Sequence, residues 1–270
     1  MTRFLPAGGG GGEEGGAERL NLRRSAPVAL VTVRSSGVMG LMRTRADALA
    51  EIEGEVVVCT TCPRLVAWRE RVAGEKVARF ADHAYWGRPV PSFGDPSAHV
   101  VVVGLAPAAH GGNRTGRIFT GDRSGDFLFA SLHRTGFSNQ ATSVHRGDGL
   151  RLDDLWIAAV NRCAPPANRP TPRERDACLP YLEREIAVLE DVRVFVCLGS
   201  FAWDGVLRAL AALGHVVRPK PRFAHGGEAD VGPFRLLGCF HPSQQNTFTG
   251  KLTPTMLDAI FVRAGELARA

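Results

Sequence analysis

Beyond about residue 45, short apolar runs alternate with segments whose apolar residues recur every three or four positions. This is the pattern of buried strands exchanged with amphipathic helices. Four runs read as strands: HVVVVGLAP (99–107), DLWIAAVNRCAP (154–165), VRVFVCLGS (192–200) and FRLLGCFHPS (234–243). They are near-continuously apolar, as strands covered on both faces of a parallel sheet must be. Helices are predicted for TRADALAEIEGEVVVC, SGDFLFASLHRTG, the stretch opening at Thr171, FAWDGVLRALAAL, and Thr253 to the C-terminus. Thr171, Pro172 and Glu174 stand in the order of a capped start: a hydroxyl, a proline at the first helical position and a carboxylate able to reach back. The whole predicts an α/β fold with a largely parallel sheet and helices on both faces. In such sheets ligands bind beyond the C-terminal strand ends. This chain places its unusual residues there: Gly-Leu-Ala-Pro after the first run, Cys-Ala-Pro-Pro after the second and His-Pro-Ser after the last.

Residues 1–45 differ. A glycine run, Gly8 to Gly12, is followed by scattered charges with no apolar periodicity, which predicts a disordered tail. Met39 and Met42 lie just ahead of the first helix, so a later translation start would explain the segment equally well. With 270 residues, 44% hydrophobic and 22% charged, the chain has material for one α/β domain, residues 46–270, and too little for two.

The net charge of +6 fits a polyanionic partner without requiring one. No run approaches the roughly 18 apolar residues of a membrane span, and Arg34, Ser35 and Ser36 interrupt the one stretch resembling a signal-peptide core. The expectation is a monomeric cytosolic protein with no membrane partner.

In a reducing compartment, six cysteines read as metal ligands or buried thiols rather than disulfides. Cys59 and Cys62 form a CxxC ending in Pro63; Cys163 stands at a strand end and Cys178 two turns into the next helix. Two such pairs can close a four-thiolate site, which zinc or a [4Fe–4S] cluster would accept. Cys197 and Cys239 lie within apolar runs and read as core.

Three long segments carry a resemblance: GLAPAAHGGNRTGRIFTGDRSGDFL (104–128), RCAPPANRPTP (162–172) and HPSQQNTFTGKLT (241–253), with CPRLVAWRE and YWGRPVPSFGDP before them. In this order they resemble the signature regions of family 5, or type b, uracil-DNA glycosylases, the iron–sulfur branch of that superfamily. The resemblance implies a central four-stranded parallel sheet flanked by helices and a [4Fe–4S] cluster on Cys59, Cys62, Cys163 and Cys178. It also implies monofunctional hydrolysis of the N-glycosidic bond of uracil in DNA, with action on hypoxanthine and other damaged bases, initiating base excision repair. The family 4 sibling has an acidic residue in a Gly-Glu-Ala-Pro first motif; here that loop carries Leu105 and Ala106.

The resemblance and the chemistry together assign roles. A base in duplex must be extruded before its sugar carbon can be attacked, and charge growing on uracil and sugar must then be met. His241 is the expected donor to uracil O2; otherwise it caps a strand end. Asp122 is the expected carboxylate facing water or the oxocarbenium-like sugar; otherwise it caps the helix beginning near Ser124. Asn168 offers a donor and an acceptor to the uracil edge, or is a plain turn residue. Phe119 would stack on the flipped base or fill core, with Gly104, Leu105 and Ala106 lining the pocket. Arg114, Arg117, Arg123, Gln244, Asn246 and Lys251 are the expected DNA contacts. No lysine stands out as a Schiff-base nucleophile, which favours water. Two other classes stay open: a non-catalytic iron–sulfur or zinc DNA-binding module, and a redox carrier.

Overall fold

The computed structural model describes residues 44–270; the expected tail, its glycine run and both methionines lie outside the described residues. Its helices and strands follow in the order α1 (Arg45–Val57), α2 (Pro63–Glu75), β1 (Phe93–Gly94), β2 (Val100–Gly104), α3 (Gly112–Thr115), α4 (Arg123–Arg134), β3 (Leu155–Ala159), α5 (Pro172–Val188), β4 (Val194–Leu198), α6 (Ser200–Ala212), β5 (Glu228–Val231), β6 (Phe234–Cys239), α7 (Gln244–Phe248) and α8 (Pro254–Arg269). Helix α1 starts within the last residues assigned to the tail. Thr44 caps it, its hydroxyl accepting from Asp47 N while the Asp47 carboxylate accepts from Thr44 N.

The four predicted strands are all present and parallel, in the order β3-β2-β4-β6. The expected count of four is nevertheless corrected to six, because β1 joins β3 and β5 joins β6, both antiparallel, at the two edges. Neither could be read as an apolar run. β1 has two residues, and β5 (Glu-Ala-Asp-Val) is an edge strand whose outward carboxylates pair with Arg263 and Arg235, the charged dressing that keeps an edge from further pairing.

Each parallel strand buries both faces. Val100 and Val102 pack with Leu128, Phe129, Leu257 and Phe261 beneath α4 and α8, while Val101 and Val103 pack with Leu179, Leu182, Trp203 and Leu210 beneath α5 and α6. At about 25 cal/mol per Å² of apolar surface removed from water, these two cores dominate the stabilisation. Cys197 and Cys239 are fully buried in β4 and β6, as core thiols. The capping box at Thr171 forms as read, with Thr171 Oγ1 accepting from Glu174 N at 3.2 Å and Glu174 Oε2 from Thr171 N at 2.7 Å. The loops leaving the C-terminal ends of β2, β3 and β6 carry the residues singled out above.

Candidate active site

Those loops enclose a cavity of about 510 Å³ lined by Leu105, Ala106, Ala108, Phe119, Asp122, Arg123, Ser124, Asn168, His241, Ser243, Gln244 and Gln245. The first motif contributes its floor. Phe119, 6% exposed, lies with its ring against Gly104, where any Cβ would come within 2.7 Å of the ring. It is held in the left-handed backbone region at φ 52°, uncommon for a bulky residue. Its ring centroid is 5.9 Å from that of His241.

Asp122 caps α4, with Oδ1 accepting from Gly125 N at 2.9 Å, and lines the cavity as well, so its structural and chemical readings hold together. Burial raises its pKa above the ordinary carboxylate value, while backbone N–H groups of Gly125 and Ser124 pull it back toward the anion. The other carboxylate oxygen packs onto Gly111: a Cβ there would fall 1.8 Å from Oδ2. Gly111 was not singled out in the sequence, because nothing in a glycine-rich run marks which member a carboxylate rests on.

His241 follows β6. Burial lowers its pKa to about 4, so the ring is neutral at physiological pH and still carries one N–H to donate. Its backbone carbonyl accepts from Asn246 Nδ2 at 2.8 Å. Asn246 therefore fixes the His-Pro-Ser turn and is not among the residues lining the cavity, where Gln244 and Gln245 are. Asn168 adopts φ 55°, the left-handed turn conformation an asparagine tolerates, and is exposed toward the cavity. Among the described residues its side-chain amide meets no hydrogen-bond partner. Ser124, Ser243 and Gln245 complete the lining without having been singled out; each lies inside a recognised motif.

The expected DNA contacts divide. Arg123 is exposed at the cavity edge with its guanidinium 5.2 Å from the centroid of Phe248, itself 67% exposed, and Lys251 is exposed over Phe240. Arg114 and Arg117 are each only 8% exposed and face inward, which corrects their reading as phosphate ligands. Arg114 donates to the carbonyls of His110 and Gly121, and Arg117 pairs with Asp148 at 2.6 Å and with Ser143 at 2.8 Å. A loop that must hold Asp122 against Gly111 uses these guanidinium groups as internal braces.

A second pocket brings together Cys59, Cys62, Cys163 and Cys178 with Arg69, Arg162 and Tyr181. The CxxC turn ends where Pro63 opens α2, which makes Cys62 its N-cap. Among the described residues no three His, Cys, Asp or Glu side chains are grouped as for a single metal ion. The donor set nonetheless suits thiolates. Arg69 Nη1 donates to Cys163 Sγ at 3.1 Å and Arg162 N to Cys178 Sγ at 3.2 Å, and Arg162 Nε is buried with no partner among the described residues. Burial, outweighing the pull of Arg69 and Arg162, pushes the thiols of Cys163 and Cys178 up, to about 11 and about 12. Both would need an electropositive ligand or metal centre to ionise there, and the arginines supply part of that field.

Comparison with known proteins places these observations. A family model described as the uracil DNA glycosylase superfamily matches residues 91–264. A curated relative from Mycobacterium bovis, "Type-5 uracil-DNA glycosylase", is 55% identical over 83% of this chain and 83% of its own. One of the same description from Thermus thermophilus is 48% identical over 79% of this chain and 95% of its own. A "Type-4 uracil-DNA glycosylase" from Thermotoga maritima is 29% identical over 75% of this chain and 85% of its own.

Proposed function

The chain belongs to the uracil DNA glycosylase superfamily, and from that premise we propose that the cavity between Asp122, Asn168 and His241 is where it works. It is a DNA-repair hydrolase that excises uracil from DNA by cleaving the N-glycosidic bond. The observation that carries the site is convergence: three residues from three separate loops line one cavity. A module that only binds DNA would have no need of it.

The extruded uracil enters over Phe119, whose face suits base stacking. Asn168 meets the O4 and N3–H edge with an acceptor and a donor. As the C1′–N1 bond breaks, negative charge grows on uracil O2, and the neutral His241 ring answers it with a hydrogen bond rather than a transferred proton. A fixed donor of this kind is worth about 3–4 kcal/mol. Asp122, kept anionic by backbone N–H groups in a dry setting, faces the positive sugar and takes the proton of the water that adds to C1′. Leu105 and Ala106 leave the first loop without the polar group of the family 4 motif. This supports a less selective pocket that also admits hypoxanthine and modified pyrimidines.

Cys59, Cys62, Cys163 and Cys178 would hold a [4Fe–4S] cluster, in keeping with four thiols lining one pocket. Bound there, the cluster would staple α2, the loop after β3 and α5 together; its chemistry is structural.

The test is cleavage of uracil-containing duplex under single-turnover conditions. Asp122→Asn keeps a good helix cap and removes the charge, so cleavage should fall by about two orders of magnitude or more with DNA affinity retained. Near-normal cleavage by that variant would remove Asp122 from the chemistry. Matched duplexes carrying hypoxanthine measure breadth, and iron content with absorbance near 400 nm, a wavelength typical of iron–sulfur thiolate sites, about which zinc is silent, reads the cluster.

A further inference from the structure

We propose that Arg69 is the charge partner of the cluster held by Cys59, Cys62, Cys163 and Cys178, a role that rests on the iron–sulfur reading above. Arg69 projects from α2 and is 4% exposed. Two of its three nitrogens donate: Nη1 to Cys163 Sγ at 3.1 Å and to the carbonyl of Cys59 at 3.3 Å, and Nε to the carbonyl of Gly87 at 3.2 Å. None of these acceptors is a carboxylate. The ion pair recorded for it is with Glu70 at 3.6 Å, a neighbour along the helix whose side chain is 60% exposed and screened by water.

A buried guanidinium needs an anion, because burying an uncompensated charge is costly. Two of the other three buried arginines have one: Arg162 meets Glu185 at 2.7 Å and Arg117 meets Asp148 at 2.6 Å, each with both side chains buried. Arg114 instead donates to the carbonyls of His110 and Gly121. Arg69 alone of these four directs its cation at sulfur. The anion that completes it is therefore the cysteine set itself: four thiolates around an iron–sulfur core carry net negative charge, and Arg69 is aimed at one of the sulfurs while reaching the backbone of another. Hydrogen bonds and nearby charge are among the main settings of such a cluster's potential. Loss of the cation makes the more reduced, more negative state harder to form, so the potential moves downward.

The experiment measures iron content and cluster midpoint potential in the full-length wild type, Arg69→Gln and Arg69→Lys, purified without oxygen. Arg69→Gln keeps a neutral donor and loses the charge; Arg69→Lys keeps the charge and loses the fork. The expected result is a potential more negative than wild type in Arg69→Gln and close to wild type in Arg69→Lys. Failure of Arg69→Gln to load iron while Arg69→Lys loads fully would also support the proposal. An iron-replete Arg69→Gln with an unchanged potential would overturn it. So would equal shifts in the two variants, or two folded variants that both fail to load, since fork geometry rather than charge would then be the requirement. A wild-type protein isolated without iron removes the iron–sulfur reading itself, whatever the variants do.

Discussion

Cys163 and Asn168 leave β3 on one loop, yet the first lines the cysteine pocket and the second the base cavity. The two regions treat charge in opposite ways. In the cysteine pocket burial pushes the thiols up while Arg69 and Arg162 pull them back, and Arg162 in turn is matched by Glu185. Charge there is answered within the pocket, Arg162 by a carboxylate and Arg69 by the cysteine sulfur it donates to. In the cavity Asp122 is shifted up and His241 down by loss of water; neither forms an ion pair, and backbone N–H groups and the field of Arg114 offset the shift of Asp122 only in part. Groups left in this condition respond most strongly to charge that appears during a reaction, since the low-dielectric setting that shifts them also magnifies new fields. Compensated charge belongs to the frame and uncompensated charge to the chemistry. The two are joined physically: Asn113 Nδ2 donates to the carbonyl of Arg69 at 3.1 Å, and Asn113 follows closely on Gly111, on which Asp122 rests.

Breaking a compensated pair should give the largest effect, on stability. Arg162→Met leaves Glu185 buried with only Ser92 as partner, and removal of one member of a buried pair costs about 3–5 kcal/mol. Denaturant unfolding should show that loss. A wild-type midpoint in this variant would mean that Glu185 takes up a proton cheaply and that the pair does not hold the frame.

Next in size is His241→Ala, which should leave folding intact and slow single-turnover cleavage about a hundredfold. Gly111→Ala sharpens the same point without touching a reacting group. The added methyl displaces the Asp122 carboxylate, so cleavage should drop sharply while stability falls by no more than a lost helix cap, about 1 kcal/mol. Unchanged cleavage by Gly111→Ala would show that the carboxylate does not need the position seen here.

These variants also mark what the sequence could reveal. The parallel strands, their helices and the capping box at Thr171 were legible from local periodicity and cap chemistry, and the gathering of Asp122, Asn168, Phe119 and His241 from the long motifs that carry the family resemblance. The edge strands were not, since β5 is dressed in charge and β1 is too short to show a period. Arg114 and Arg117 misled for a related reason: an arginine in a polar loop looks solvated, and only the folded loop reveals that Gly121 and Asp148 receive them. Gly111 was invisible because a glycine declares itself by what its missing side chain would strike.

A smaller, graded effect comes from pH. In the proposed mechanism Asp122 acts as an anion, and its pKa lies above the ordinary value, so its working form is present above that raised pKa and lost as pH falls through it. His241, with a pKa of about 4, is neutral above that value and takes up its own proton only near it. The single-turnover rate should therefore show one acid limb, starting at higher pH than about 3.9, the value of an unperturbed aspartate, and falling about tenfold per pH unit. A limb at the ordinary aspartate value would mean that water reaches Asp122 freely in the working complex.

The smallest expected effect separates the outward arginine from the inward ones. Arg123 is exposed beside the cavity and the exposed Phe248 ring, where a guanidinium can reach a backbone phosphate; such contacts set affinity and salt dependence without reading sequence. Arg123→Ala should weaken binding to duplex DNA a few-fold at moderate salt and lower the slope of log affinity against log salt by about 1, with the cleavage rate of bound DNA unchanged. Arg117→Ala should do the reverse, lowering stability through the unpaired Asp148 while leaving that slope as it is. Titrations of both variants across a salt series decide the matter. If Arg117→Ala, at a temperature where it is fully folded, lost the slope and Arg123→Ala kept it, the inward guanidinium would have to swing out to meet DNA, and the division between frame and chemistry would fail at the loop that joins them.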